Sequence, residues 1–279
     1  MAELFDNGRP NSQHLTEVMG LAPPALFVAF AQWVFDYAGG DAHAAVNLYS
    51  RLTGLAHPQL LTLYDNTPRE LYAIGDTGSD GGHVGFIVHA PELGHDDAPW
   101  AEFIPGDNDL ASLGNGTRDW LERLCSYRLA NVPKLSQTVD DLSEVFGLQP
   151  DVTKGLLFGS HGQFCYWEVP GTERPLIEPH VPDGWWFAYT ADDVGVLAPD
   201  KAFCEGLDDF DPSNANASEL VTAAEIVMAK GYPATAQVFA RLADRRGGST
   251  ERTNACLVRS YRALGREVLA KRHEDHPLF

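Results

Sequence analysis

One stretch in the first half of the chain constrains the fold most strongly. Residues 71–74 form a short apolar run, residues 76–82 are dense in glycine and aspartate, and residues 83–90 again have the composition of a strand. Two such runs with a short polar segment between them predict a β-hairpin. The connection is too short for the crossover helix that a parallel pair needs, so the strands are expected to be antiparallel.

Helices are predicted on both sides of this hairpin. The first follows prolines 23 and 24, carries Trp33 in an apolar stripe at helical spacing, and ends at glycines 39 and 40. A second is expected over about residues 42–52, and a third begins at Thr117, which is expected to cap it. Another strand is predicted over residues 100–104. Helices around strands with short connections favour an α+β fold with a curled antiparallel sheet over a parallel doubly wound sheet.

The rest of the chain divides into two further regions. Residues 131–137 have the composition of a linker, and Thr138 with Asp141 has the spacing of a capping box. Strand-like runs then recur, which predicts a second β-rich segment, either separate from the first sheet or continuous with it. The last region is expected to hold three or four short helices separated by glycines. The predicted regions are 1–130, 131–212 and 213–279.

The chain is acidic, and its charge is unevenly distributed. It has 20 Lys and Arg against 39 Asp and Glu, a net charge of −19, of which residues 1–218 contribute −22 and residues 219–279 contribute +3. An acidic surface repels phosphate backbones and anionic lipid, so neither nucleic acid nor a membrane is an expected partner. No apolar run reaches the length of a membrane span, and the first residues lack the pattern of a secretory signal. A cytoplasmic protein is therefore expected.

The cysteines and histidines do not predict a metal site or a cofactor. The four cysteines lie about 40 to 50 residues apart without a Cys-x-x-Cys pair, so reduced and mostly buried thiols are expected. His83 and His89 would be about 20 Å apart on one strand, too far to share an ion. His273 and His276 have i, i+3 spacing instead of the i, i+4 spacing of zinc-binding helices.

The sharpest catalytic string is Asp-Thr-Gly-Ser at residues 76–79. It is typical of aspartic proteases, in which two carboxylates share one proton and activate water. The sequence holds no second Asp-Thr-Gly or Asp-Ser-Gly string, and Asp-Gly-Gly at 80–82 replaces the apolar strand expected next. Turn chemistry explains the same residues, so no catalytic residue is predicted. An aspartate-dependent hydrolase that uses Asp76 and Asp80 remains an alternative.

Taken together, residues 13–130 resemble the SUKH superfamily, which includes the fungal cell-wall-assembly regulator and many bacterial immunity proteins. The resemblance rests on the Pro-Pro start of the aromatic helix with Trp33, the Gly-rich hairpin at 71–88, Ala-Pro-Glu-Leu at 90–93, the strand at 100–105 and the closing helix at 117–129. It implies a curled antiparallel sheet covered on one face by helices. It also implies a binding role without catalysis: members commonly neutralise a protein toxin by occluding it, as in toxin–antitoxin pairs.

An acidic surface fits such a role, because cationic toxins, nucleases above all, are attracted to carboxylates that block a phosphate-binding cleft. The candidate partner-binding residues lie on predicted loops beside the hairpin. They are Asp76, Asp80, Asp96, Asp97, Asp107 and Asp109. The alternative interpretation of each aspartate is that its charge only keeps the protein soluble.

The helical tail offers a third function. Gly231, Ala236 and Ala243 have spacings that suggest a helical repeat, with about one and a half units present. A solenoid normally needs three, so packing onto the rest of the protein is the favoured interpretation. A regulatory scaffold that docks partners through this tail is the alternative.

Overall fold

The structure is a computed structural model that describes residues 2–61, 64, 67, 70–78, 81–88, 98–105, 109–114, 116–152, 210–211, 214–231, 233–248 and 250–275. The described residues up to 152 belong to one compact unit, and those from 210 onwards belong to a second. The strand-like runs predicted between residues 156 and 197 lie outside the described residues.

The first unit is an α+β fold, as predicted. Its elements are β1 (Ala2–Glu3), α1 (Ser12–Met19), α2 (Ala25–Tyr37), α3 (Ala42–Thr53), β2 (Gln59–Leu60), β3 (Leu71–Asp76), β4 (His83–Ile87), β5 (Trp100–Ile104), β6 (Asp109–Gly114), α4 (Thr117–Asn131), a 3-10 turn (Pro133–Leu135) and α5 (Ser136–Phe146). Strands β3 to β6 form an open antiparallel sheet in chain order, and β1 pairs with β2 separately.

The predicted hairpin is confirmed. Strands β3 and β4 pair antiparallel from Leu71 opposite Ile87 to Asp76 opposite His83, with an irregularity after Ala73. Strand β5 spans the predicted residues and pairs with β4. Nearly every residue of β3 and β4 is buried, which explains their continuous apolar sequence.

The core between sheet and helices is aromatic. Phe27 and Phe30 on α2 lie in it, and Phe27 contacts Phe86 and Trp100 on the sheet. Trp100 in turn stacks on Trp120 of α4, with 3.9 Å between ring centroids. The apolar stripe that predicted α2 is therefore the face that covers the sheet.

Two predicted caps are wrong, each for a local reason. Thr117 is the first helical residue of α4, and its hydroxyl instead accepts a hydrogen bond from the indole of Trp100 at 3.1 Å. Thr138 lies inside α5, because the 3-10 turn at Pro133–Leu135 leads directly into a helix that begins at Ser136. Buried Val139 and Leu142 make α5 part of the core of the first unit.

The described residues of the second unit form four helices, in agreement with the sequence. They are α6 (Ala217–Ala229), α7 (Pro233–Ala243, followed by a π-helical turn at Asp244–Gly248), α8 (Glu251–Ala263) and α9 (Glu267–Asp275). Helix α8 begins and ends 34 residues after α6, and α9 begins 34 residues after α7. The side-chain caps Asn216 and Thr250 share this offset. The unit therefore holds two helix-hairpin repeats, against the one and a half predicted.

Candidate functional site

The sheet brings two of the six predicted aspartates to one end. Antiparallel turns alternate between the two ends of a sheet, so the β3–β4 and β5–β6 connections share an end. Asp76 closes β3 there and Asp109 begins β6 there. Three strand spacings separate β3 from β6, which places these two backbones about 14 Å apart.

The remaining four aspartates lie outside the described residues. They are Asp80, Asp96, Asp97 and Asp107.

The carboxylate of Asp76 helps to form the hairpin turn. Its Oδ1 accepts the backbone N–H of Gly78 at 2.8 Å, the arrangement of an Asx turn. Its backbone pairs with His57, and the carbonyl of Gly82 accepts the N–H of Thr77 at 2.7 Å. Gly78 has a φ of +75°, and a Cβ there would lie 2.6 Å from Ala56. The turn between β3 and β4 therefore accounts for the Asp-Thr-Gly residues: Asp76 accepts a turn N–H, and glycine is favoured at the positive φ of position 78.

His83 is the buried centre of this end of the sheet. Its Nδ1 lies 2.9 Å from the carbonyl oxygen of Gly81, which can only accept, so Nδ1 carries the proton. Its Nε2 is therefore the acceptor, and the hydroxyl of Thr67 donates to it at 3.2 Å. The same hydroxyl oxygen accepts the N–H of Tyr64 at 2.8 Å. These hydrogen bonds attach Tyr64 and Thr67 to the hairpin.

The neutral form of His83 suits this position. Burial lowers the pKa of His83, and the Gly81 carbonyl and the charge of Asp76 oppose that shift. The ring is 0% exposed and packs edge-on against Phe103. Because both ring nitrogens are engaged inside the protein, this histidine acts as a structural residue.

Tyr64 lies on the outer side of the buried histidine. Its ring stacks on His83 with 5.7 Å between centroids, and it remains 45% exposed. A Cβ on Gly81 would come within 2.8 Å of the same ring. We call Tyr64, Asp76 and Gly78 the hairpin-end surface. Tyr64 is not predicted as a site residue, because the sequence near it contains no pattern that indicates its stacking contact with His83.

Among the described residues of this end, no second carboxylate is placed close enough to Asp76 for the two-carboxylate chemistry of the hydrolase alternative. Asp109 is too far from Asp76 to share a proton with it, and Asp80 lies outside the described residues. No group of three His, Cys, Asp or Glu among the residues described has the arrangement needed to hold a metal ion.

A polar cluster in the second unit was also not predicted. The hydroxyl of Tyr261 on α8 accepts hydrogen bonds from Arg241 and Gln237 on α7, each at 3.1 Å. Its ring stacks on His273 of α9 at 5.3 Å, and the Nδ1 of His273 lies 3.3 Å from the Oδ1 of Asn254. These contacts tie three helices together, so His273 has a structural use. Its predicted neighbour His276 lies outside the described residues.

The two described cysteines are buried free thiols. Burial raises the pKa of Cys125 to about 12 and that of Cys256 to about 11. A thiol with so high a pKa is a poor nucleophile at neutral pH. Cys165 and Cys204 lie outside the described residues.

Among the helices described, none has both the length and the apolar composition that a membrane crossing requires. Comparisons of the chain with protein-family models and with curated proteins found no match.

Proposed function

We propose that this protein is a non-enzymatic binding protein of the immunity type, which neutralises a protein toxin in the cytoplasm by occluding it with the hairpin-end surface. The resemblance of residues 13–130 to the SUKH superfamily motivates the class of protein. The net charge of −19 motivates the class of partner, a basic protein such as a nuclease.

The observation that carries the proposal is the exposed ring of Tyr64 on the same sheet end as Asp76. Tyrosine is enriched among the residues that dominate binding energies, because its large ring loses little conformational freedom on binding. The stack on buried His83 already orders this ring. The carboxylate of Asp76, at the same end of the sheet, supplies attraction to a cationic partner and orients the encounter.

The test pairs this protein with the product of the gene next to its own. That product is expressed in a sensitive host with and without this chain, and growth is recorded. The wild-type chain is expected to restore growth, and the double variant Tyr64→Ser, Asp76→Asn is expected to fail. Asparagine keeps a side-chain oxygen for the Gly78 N–H, so the turn is retained while the charge is lost.

The matched control is Glu17→Gln, which removes one exposed carboxylate from α1. This variant should protect like the wild type. A neighbouring toxin that arrests growth equally with or without the wild-type chain contradicts the proposal. Full protection by the double variant moves the contact surface away from the hairpin end.

A docking scaffold is the second candidate, favoured by the 34-residue offset between the helix pairs of the second unit. In that case the exposed face of α8 would carry the contact. Charge reversal by Arg259→Glu on this face would then weaken partner capture, and the double variant at the hairpin end would not.

A further inference from the structure

A second patch on the first unit joins α2 to α5. The hydroxyl of Tyr37 donates to Oδ2 of Asp141 at 2.8 Å, and the side chain of Gln137 donates to Oδ1 of the same carboxylate at 2.8 Å. Tyr37 is nevertheless 44% exposed, and Val145, one turn further along α5, is 62% exposed. An aromatic ring and an aliphatic side chain thus face solvent on either side of an ordered carboxylate.

Trp33 extends the patch along α2. Its ring lies 4.7 Å from that of Tyr37, centroid to centroid, at an angle of 32° between planes. The indole is half-buried against the core, which fixes the ring of Tyr37 on one side while the bond to Asp141 fixes it on the other. Ordered Trp and Tyr rings are the residues over-represented at the energetic centres of protein interfaces.

The helix that carries this carboxylate is acidic, and Arg118 of α4 lies at its C-terminal end, where it donates to the carbonyls of Phe146 and Gly147. Helix α5 carries Asp140, Asp141 and Glu144 and has no Lys, Arg or His, and Glu144 lies on the same helix face as Asp141. On α2, Asp36 is already neutralised by a bidentate bond to Arg9. Lys134, in the 3-10 turn before α5, is the basic residue nearest to α5 in the sequence.

The Asp141 carboxylate still has capacity for a ligand. Each of its two oxygens accepts one of the bonds given above, and a carboxylate offers about four acceptor sites. The unused sites lie next to the hydroxyl end of the Tyr37 ring, and a cation can contact an aromatic face and a carboxylate at once. Arginine suits both contacts, since its planar group stacks on rings and donates in pairs to carboxylates.

We propose that Trp33, Tyr37, Asp141, Glu144 and Val145, the α2–α5 surface, form a docking site for a basic segment of another protein, with an arginine lying on the ring of Tyr37 and donating to Asp141. This surface is built from other elements than the hairpin-end surface. The proposal holds or fails independently of the proposed function.

The experiment is a ¹H–¹⁵N NMR titration of the full chain with a short, end-blocked Arg-Gly repeat peptide at about 0.15 M salt, where long-range attraction is screened. The amides of residues 33–37 and 137–145 are expected to shift, together with one indole N–H that is missing from the spectrum of Trp33→Phe. A Lys-Gly peptide of the same length should bind more weakly. Tyr37→Ser should weaken binding of the Arg-Gly peptide about fivefold.

Two variants distinguish direct contact between the Tyr37 ring and the peptide from indirect effects of a substitution on this protein. Tyr37→Phe keeps the ring and loses only the hydroxyl with its bonds to Asp141 and Thr138, so its affinity should stay within about twofold of the wild type. Tyr64→Ser removes an exposed tyrosine from the hairpin-end surface and should bind like the wild type. The proposal is overturned by shifts centred on residues 71–83, by equal losses in Tyr37→Phe and Tyr37→Ser, or by no shifts at millimolar peptide.

Discussion

Trp100 and Trp120 lie face to face, with 3.9 Å between their ring centroids and 1° between their planes. Trp100 begins β5 and Trp120 lies in the first turn of α4, so the stack joins the sheet to a covering helix. The indole N–H of Trp100 donates to the hydroxyl of Thr117, the residue at which α4 begins.

Thr117→Val should therefore lower the free energy of unfolding by about 1–3 kcal/mol, because it leaves a buried indole N–H without an acceptor while the side-chain volume hardly changes. Thr117→Ser keeps the hydroxyl and should lose less. Denaturant unfolding of the three proteins followed by tryptophan fluorescence provides the comparison. Equal stability of Val and wild type would show that the bond contributes nothing.

His83 should make the stability depend on pH. Its pKa in the folded protein is lowered by burial, so the unfolded chain takes up this proton first as the pH falls. The stabilisation is complete above about pH 6.5, the ordinary histidine value, and is lost as the pH falls through the lower folded pKa. Unfolding free energies of wild type and His83→Gln at a series of pH values measure it. Identical pH dependence in the two proteins would contradict this role.

Gly85 on β4 is required by a close approach of backbones. A Cβ at this position would collide with the main chain of Tyr72 on β3. Gly85→Ala should cost about 3 kcal/mol, the upper range for overpacking. Gly147, which ends α5 with a φ of +60° and open space around it, is the control. Gly147→Ala should cost about 1 kcal/mol, so thermal unfolding should separate the two variants clearly.

The buried cysteines should resist modification in the folded protein. With pKa values of about 12 and about 11, Cys125 and Cys256 hold almost no thiolate at pH 8, and burial blocks reagents as well. Iodoacetamide followed by peptide mass spectrometry should label neither residue before denaturant is added and both afterwards. Rapid labelling of Cys125 in the native protein would show that this part of the core opens.

The sequence predicts those helices and strands whose hydrophobic pattern and turn residues are contained in one short segment. The hairpin follows from two apolar runs around a Gly-Asp segment, and α2 follows from a stripe between prolines and glycines. A threonine before a helix normally caps it, so the sequence predicts a cap at Thr117. The contact between its hydroxyl and the indole of Trp100 depends on the fold. Strand β6 and helix α1 carry weaker local patterns and were not predicted.

The candidate site could be predicted only in part, for the same physical reason. Asp76 stands in a recognisable turn, so its position follows from the sequence. Its relation to Asp109 depends on the alternation of turns along the sheet, which pairs residues 33 positions apart. Tyr64 contacts His83, 19 residues away, and Tyr37 contacts Asp141, 104 residues away. The roles proposed for these tyrosines depend on those contacts, which the local sequence does not predict.

The affinity of this protein for the purified product of the neighbouring gene is the most direct measure of the role proposed for the hairpin-end surface. Isothermal titration should show that Asp76→Asn weakens binding about tenfold and lowers its dependence on salt, while Glu17→Gln binds like the wild type. Equal affinities for the wild type and Asp76→Asn, with unchanged salt dependence, would contradict a docking role for this end of the sheet.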